Sequence, residues 1–280
     1  MPEILIYVLV FVIGACIGSF LNVVIHRVPN EQSLFPSSKC PNCDTAIKPW
    51  HNIPILGWLL LGGKCANCKV SITARYPAVE LLTALLFSLV YWQIGLTVYL
   101  PVALAFTAAM IALVFIDAEH MILPNVITYP MFVLALIVRV ALPISLGYVF
   151  SDTLYSPIIS LSAWPAWAVS LAGALFGALI GGGSLWLVGA IWKALRGVDA
   201  MGLGDVKLLF AVGALLGWRL TLLTIFLGAF TGALAGIVVV LRQKDRNLQT
   251  QIPFGIFLGI GSIVAMLFGE QIIQWYLGRF

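Results

Sequence analysis

The chain has 280 residues, of which 61% are hydrophobic and only 9% are charged, and its formal net charge is +4. Soluble domains carry roughly 25% charged residues, so this composition excludes an ordinary water-soluble globule. The basic residues lie between long apolar blocks. This placement indicates that they orient membrane spans and do not bind nucleic acid. The surroundings we expect for this chain are therefore those of a lipid bilayer.

Apolar blocks long enough to cross a bilayer recur along the whole sequence. A run of about 18 or more apolar residues can cross the hydrocarbon core as a helix, whereas an open sheet would leave its edge groups unsatisfied there. We therefore predict an all-α polytopic membrane protein with about eight transmembrane helices. By residue number, the predicted spans are 4–25, 77–96, 98–116, 125–144, 164–192, 205–218, 220–241 and 252–268.

Lysine and arginine predict the orientation of these spans. Most of the 15 basic residues fall in three loops, 26–76, 193–207 and 242–246. All three loops lie on one side if the N-terminus is outside, and the positive-inside rule makes that side the cytoplasm. The loop 145–163 has no Lys or Arg, which suits the outer face. The short sixth span must then be a true crossing, because a re-entrant segment would place the basic residues 242–246 outside.

The first apolar segment is predicted to be a retained anchor. Glu3 precedes it and its basic residues follow it, which is the reverse of a secretory signal peptide. Gly14 and Gly18 stand four residues apart beside Ala15 and Ser19, and such spacing of small residues allows helices to approach closely in lipid. Cys16, inside the same span, is expected to be an inert packing residue.

The loop 26–76 contains two C-x-x-C motifs separated by 21 residues of sequence. Two such turns can complete a tetrahedral zinc site, and four thiolates leave no open position for water, so we predict a structural zinc ion. Two disulfides or unliganded thiols are the alternatives, of which disulfides fit poorly in a reducing cytoplasm. His26 and His51 flank the loop; either could be a ligand or a polar contact, but surface or packing roles are expected. The predicted ligands are Cys40, Cys43, Cys65 and Cys68.

These features divide the chain into three predicted parts. Residues 1–25 form the first transmembrane helix, and residues 26–76 form a small cytoplasmic zinc-binding loop domain. Residues 77–280 form a multi-helix membrane domain.

Two aspartates stand at predicted membrane boundaries. Asp117 ends the third span and Asp205 opens the sixth, so the topology places both at the cytoplasmic ends of helices and at similar depth. Two close carboxylates cannot both ionise cheaply; they share a proton and can supply both the base and the acid of peptide hydrolysis. Such a pair titrates as a unit, so the sequence assigns neither role to either residue. Gly202 and Gly204 would let an extended substrate approach Asp205.

A simpler account treats these acids as interfacial residues. The two aspartates could face water, or pair with Lys207 or Arg196, because carboxylates at the membrane boundary cost less than buried ones. Glu80 is a candidate for substrate contact, although extension towards the helix end or pairing with Arg75 is the simpler account. Three other polar residues are candidates to lie around the pair, although an interfacial position is the simpler account of each: Glu119, His120 and Lys207.

Several segments, taken together and in order, resemble the type IV prepilin peptidases, aspartic peptidases of the Gly-x-Gly-Asp type. These are residues 14–23 with Arg27, the paired C-x-x-C loop followed by Arg75-Tyr76-Pro77 and Glu80-Leu81, Asp117 with Leu123-Pro124-Asn125, Gly202-Leu203-Gly204-Asp205-Val206-Lys207, and Ile252-Pro253-Phe254-Gly255. Ile256 stands where the family often has proline, and we expect little consequence from this. Presenilin-like proteases share Gly-x-Gly-Asp but typically carry Tyr-Asp at the other aspartate, where this chain has Ile116.

The resemblance implies that Asp117 and Asp205 are the catalytic pair. The implied substrates are prepilins and pseudopilins of pilus assembly or type II secretion, which carry a short basic leader ending in glycine ahead of an apolar helix. Cleavage would occur at the cytoplasmic face of the bacterial inner membrane. Family members with the cysteine-bearing loop typically also N-methylate the new N-terminus with S-adenosylmethionine, for which the sequence indicates no binding residues.

Two other classes of function compete with the peptidase. A proton- or cation-coupled transporter would place polar residues near mid-span and often shows repeated halves, whereas these spans are apolar and the acids gather at one face. A catalytically silent membrane scaffold with a zinc module would tolerate replacement of both aspartates.

Overall fold

The computed structural model describes residues 3–35, 37–146, 164–198, 202–242 and 253–279. Within these ranges the chain is helical without β-strands, apart from two isolated antiparallel bridges. A 3-10 turn spans Pro49–His51 and a π turn spans Leu179–Gly183. The helices are α1 Glu3–Arg27, α2 Leu56–Leu60, α3 Arg75–Ile94, α4 Leu100–His120, α5 Asn125–Leu146, α6 Ala166–Ala178, α7 Ser184–Arg196, α8 Leu203–Leu216, α9 Trp218–Arg242 and α10 Phe254–Leu277.

The predicted spans correspond to these helices within a few residues at most ends. In the described part of the chain, 7 helical runs are long and apolar enough to cross a membrane, and one of them is the continuous run Ala166–Arg196 that includes the π turn. The all-α polytopic fold is therefore confirmed. The predicted sixth span is α8, which has 14 residues. At 1.5 Å per residue it is about 21 Å long, less than the hydrocarbon core of about 30 Å.

Despite its length, α8 runs in the direction predicted for a crossing segment. α9 and α10 form an antiparallel hairpin, since Arg219 at the start of α9 pairs with Glu270 near the end of α10 at 3.6 Å. The first turn of α8 lies beside the first turn of α10, because Leu123 contacts Gly204 and Gly255 at both places. The last turn of α8 leads directly into α9 at the opposite end of the hairpin. α8 therefore runs parallel to α10 and antiparallel to α9, as a segment that crosses the membrane would.

The chain forms two compact units, residues 1–112 and 113–280, with the boundary inside α4. In the first unit α1 packs along α3. A Cβ added at Gly14 or Gly18 would lie 2.7 Å from a backbone Cα of α3, so the predicted close approach of small residues is confirmed. Cys16 is exposed, and its expected packing role is wrong. The helical rotation that turns the two glycines towards α3 leaves Cys16 off that face.

The second unit is organised around α8, of whose 14 residues 10 are buried. α8 packs against α5, α6 and the π turn. Gly177 of α6 and Gly213 of α8 meet backbone to backbone, and a Cβ at Gly181 in the π turn would lie 2.5 Å from the carbonyl oxygen of Leu209. Glycines at these crossings let a short helix pack closely against its neighbours. The predicted outer loop 145–163 and the basic residues after 242 lie mainly outside the described residues.

Candidate active site and metal centre

The two C-x-x-C motifs fold into equivalent turns. The amide of Cys40 donates to the carbonyl of Thr45 and that of Asp44 to Cys40; likewise the amide of Cys65 donates to Val70 and that of Lys69 to Cys65. Asp44 and Lys69 both have positive φ, 51° and 61°, at the same place in each turn. Each turn is closed by an antiparallel bridge, Lys39 to Ala46 and Lys64 to Ser71. This repeated geometry brings four sulfurs to one point.

The four sulfurs are arranged as a metal site requires. The Sγ atoms lie within 4.8 Å of one another. Cys40 and Cys68 are separated by 3.7 Å and Cys43 and Cys65 by 4.0 Å. A tetrahedral ion with bonds of about 2.3 Å would separate its sulfurs by roughly 3.8 Å. All four cysteines are free thiols, so the alternative of two disulfides does not hold. The residues therefore fit a four-coordinate metal ion.

Hydrogen bonds around the sulfurs favour the thiolate form that binds a metal. The Thr45 hydroxyl and the Asn67 side-chain amide contact Cys43 Sγ at 3.4 and 3.7 Å. These hydrogen bonds lower the pKa of Cys43 to about 6. The backbone amides of Cys68 and Asn67 likewise lower the pKa of Cys65. The turns thus prepare two of the four ligands for a cation before it arrives.

Asp117 is buried against the first turn of α10. Its side chain is 5% exposed, although it lies three residues from the end of α4. The backbone amide of Ile256 donates to Asp117 Oδ2 at 3.0 Å, and the amide of Gly255 also donates to this carboxylate. A Cβ at Gly255 would lie 2.8 Å from Oδ2, so only glycine allows the helix end to come this close. Asp117 is therefore held in place by the backbone of α10.

Asp205 lies in the first turn of α8 and faces the same small region. Its residue is 9% exposed, and its carboxylate interacts electrostatically with that of Asp117. Leu123 joins the two environments, because its side chain would be 3.0 Å from a Cβ at either Gly204 or Gly255. The structure thus brings together the two acids that the sequence placed at equal depth. Two buried carboxylates in coulombic contact can share one proton.

The interfacial account predicts carboxylates exposed at the helix ends. Both acids are instead buried. Lys207 does not pair with Asp205; its Nζ donates to Asn125 Oδ1 at 2.9 Å and lies 5.4 Å from the Tyr129 ring centroid. Lys207 therefore links α8 to α5 beside the pair. Glu119 and His120, the other predicted neighbours, are exposed at the end of α4.

Glu80 does not extend towards the helix end as expected. Its side chain is buried between α1 and α3, and Oε2 accepts the backbone N–H of Ile55 at 2.6 Å. A hydrogen bond with the Ser19 hydroxyl completes its contacts. Ile55 has φ 63°, a conformation that a β-branched residue rarely adopts. Glu80 therefore fastens the segment before α2 to the membrane helices.

Sequence reasoning missed the part played by Ile256. Its amide reaches Asp117 across 139 positions of sequence. The available signal was the departure from the proline that the family often has at this position, since proline has no N–H to donate. We expected little consequence from isoleucine at position 256, but its N–H makes a direct hydrogen bond to one of the two buried aspartates.

The chain is similar to known proteins over nearly its whole length. Residues 12–94 match the bacterial peptidase A24 N-terminal domain, and residues 104–237 match the type IV leader peptidase family. A relative from Pseudomonas aeruginosa, named prepilin leader peptidase/N-methyltransferase, is 38% identical over 289 residues, covering 95% of this chain and 91% of its own length.

Two further relatives carry the same name. The protein from Neisseria gonorrhoeae is 38% identical over 295 residues, with 95% of this chain and 93% of the relative covered. The protein from Aeromonas hydrophila is 36% identical over 297 residues, with coverages of 97% and 94%. No solved structure matches the chain.

Proposed function

Because the chain belongs to the type IV leader peptidase family, we propose that Asp117 and Asp205 hydrolyse the leader peptide of prepilins or pseudopilins. The observation that carries the proposal is the buried pair itself: two acids from different helices, each at least nine-tenths buried, interact in one small region. An apolar chain has no structural need for two such carboxylates. Because the two carboxylates are buried and close together, ionising both costs free energy, and the pair therefore keeps one proton.

The shared proton supplies both halves of the reaction. One carboxylate takes a proton from water as the water oxygen bonds to the carbonyl carbon of the scissile peptide. The other gives its proton to the amide nitrogen as the carbon–nitrogen bond breaks. The pair then again holds one proton, and the products are a leader with a new carboxyl terminus and a mature protein with a new amine. No covalent intermediate is required.

The substrate is proposed to lie across the cytoplasmic membrane face. The positive-inside rule places the ends of α4, α8 and α10 that surround the pair on that side of the bacterial inner membrane. A basic leader would remain among cytoplasmic loops while the apolar helix that follows it enters between spans.

The metal centre and the second activity complete the proposal. The fitted site would hold a structural zinc ion, because thiolates are ligands that zinc prefers and four of them close its coordination shell. We propose that the chain has three parts. Residues 1–25 are the first transmembrane helix, residues 26–76 are the loop that binds zinc, and residues 77–280 are the peptidase domain. The same chain would then methylate the new amine with S-adenosylmethionine, as the relatives' names suggest. Zinc would support the loop's fold without taking part in cleavage.

Mass spectrometry of a prepilin incubated with the purified protein in detergent tests this function. Cleavage after the leader glycine, with a further methyl group only when S-adenosylmethionine is added, is the expected result. Cleavage without methylation would leave the peptidase and remove the second activity. Folded protein that cleaves neither a prepilin nor a pseudopilin would favour the scaffold.

A further inference from the structure

The two aspartates have different surroundings, although both are buried. Asp117 receives two backbone donors from the first turn of α10, one of them the Ile256 amide at 3.0 Å from Oδ2. Amides in the first turn of a helix have no partner within the helix and carry the positive end of its dipole. They therefore stabilise a negative charge on Asp117 and fix the orientation of its carboxylate.

Asp205 has no comparable donors. Among the described residues, no hydrogen bond or ion pair reaches its carboxylate, and the nearby Lys207 is directed to Asn125. The dipole of α8 also favours a charge at Asp205, but this effect is weaker than a direct hydrogen bond to an ionised group. Gly202 at the N-cap offers no side chain that could donate to it. One proton shared by the pair is therefore more stable on Asp205.

We infer that the Ile256 backbone amide is a positioning group that keeps Asp117 as the ionised base, leaving Asp205 to carry the proton that reaches the leaving amine. The inference rests on the proposed function, and it goes further by giving each aspartate a role. In the reaction Asp117 takes a proton from water, Asp205 gives one to nitrogen, and transfer from Asp117 to Asp205 restores the starting state. The N–H donor at position 256 distinguishes this chain from family members with proline there, because proline has no N–H.

The charged groups near Asp117 are few. Asp205 faces it from α8. Glu119 and His120 follow on α4 and are exposed, while the ammonium of Lys207 on α8 is bound to Asn125 of α5. The described first turn of α10 adds backbone amides and no ionisable side chain. Removal of the N–H at 256 should therefore change how activity falls at low pH, and it should do so by making Asp117 easier to protonate.

The test compares Ile256→Pro with Ile256→Ala in the full-length protein. Proline removes the N–H, and the first turn of a helix tolerates it because no helical bond is lost. Alanine removes the side chain but keeps the N–H, so it is the matched control. The measurement is kcat/KM for prepilin cleavage against pH in detergent. We expect the acidic limb of Ile256→Pro to move upward by roughly one pH unit, while Ile256→Ala follows the wild type.

Two outcomes overturn the inference: an Ile256→Pro profile that coincides with that of the wild type, or an Ile256→Ala profile that shifts as far as that of Ile256→Pro, which would implicate the side chain. If Ile256→Pro fails to fold, an α-hydroxy acid with the isoleucine side chain at 256 removes the same N–H. An unshifted profile for that variant would equally overturn the inference. Wild-type protein without prepilin cleavage would end the proposed function itself, whereas cleavage with unshifted profiles ends only the role of Ile256.

Discussion

Among the residues that the structure describes, three acidic side chains are buried in helices of an apolar chain, and each has a different compensation. Asp117 accepts amides from α10, Glu80 accepts the Ile55 amide and bonds with Ser19, and Asp205 has Asp117 beside it. A buried carboxylate without partners is costly, so these contacts decide which acids are structural and which are available for chemistry. Glu80 is occupied by its own chain. Asp117 and Asp205, which lie together, are the two left to exchange protons.

Replacement of Glu80 by alanine should loosen the segment before α2. It leaves the half-buried Ile55 N–H without its acceptor, at a cost of about 1 kcal/mol. Glu80→Gln is the matched control, because its amide oxygen can still accept this bond. Thermal unfolding in detergent and limited proteolysis within residues 49–63 measure the effect. Equal unfolding temperatures and equal cleavage for Glu80→Ala and wild type would show that the bond holds nothing in place.

At the scale of elements, the metal loop and the helix ends at the active site are built on different principles. The two cysteine turns are local, each closed by backbone bonds within six residues of its first cysteine. Their four sulfurs come together without a large apolar core, so a bound ion must supply much of the loop's stability. The active site is assembled from distant helices, with Leu123 packed against Gly204 and Gly255. Its stability comes from helix packing.

The loop should therefore lose its metal when one ligand is removed. Cys40→Ser leaves three sulfurs, and the zinc content measured by elemental analysis should fall from about one ion per chain towards zero. Cys16→Ser is the control, since Cys16 is an exposed cysteine on α1 outside the cluster. Prepilin cleavage by Cys40→Ser should persist if the protein is folded. Unchanged zinc content in this variant would remove the cysteine cluster from consideration as the metal centre.

At the scale of the whole molecule, the number of crossings decides where the active site faces. With the N-terminus outside and α8 counted as a crossing, the ends of α4, α8 and α10 at the aspartates face the cytoplasm. Arg219 would then lie on the outer side, where basic residues are uncommon. Its ion pair with Glu270 accounts for this exception.

The same count predicts an outside C-terminus. Alkaline phosphatase, which needs the oxidising outer compartment, should be active when fused after Phe280, whereas a fluorescent protein that folds in the cytoplasm should remain dark there. Both fusions keep the full chain intact. A bright fluorescent fusion with inactive phosphatase would mean an odd number of crossings, and α8 would have to be re-entrant.

Much of this architecture followed from the sequence, because hydropathy and basic residues act over whole segments. They gave the helices and placed Asp117 and Asp205 at one depth, and the cysteine spacing gave the metal cluster. The contacts of Glu80 and Ile256 did not follow, since both depend on backbone amides whose direction no side-chain pattern encodes. The packing role predicted for Cys16 was wrong because the sequence of a uniformly apolar helix does not reveal which face packs against another helix.

The measurement that tests the central claim most directly is the cleavage rate of a prepilin by Asp117→Asn, Asp205→Asn and the double variant. If the acids act as one pair, each single variant should lose at least about 10³-fold in kcat/KM, and the double variant should lose no more than either. Asp44→Asn makes the same chemical change at an exposed residue whose positive φ asparagine tolerates, and it should cleave at the wild-type rate. Substantial cleavage by either single variant, or losses that multiply in the double variant, would contradict a shared-proton pair.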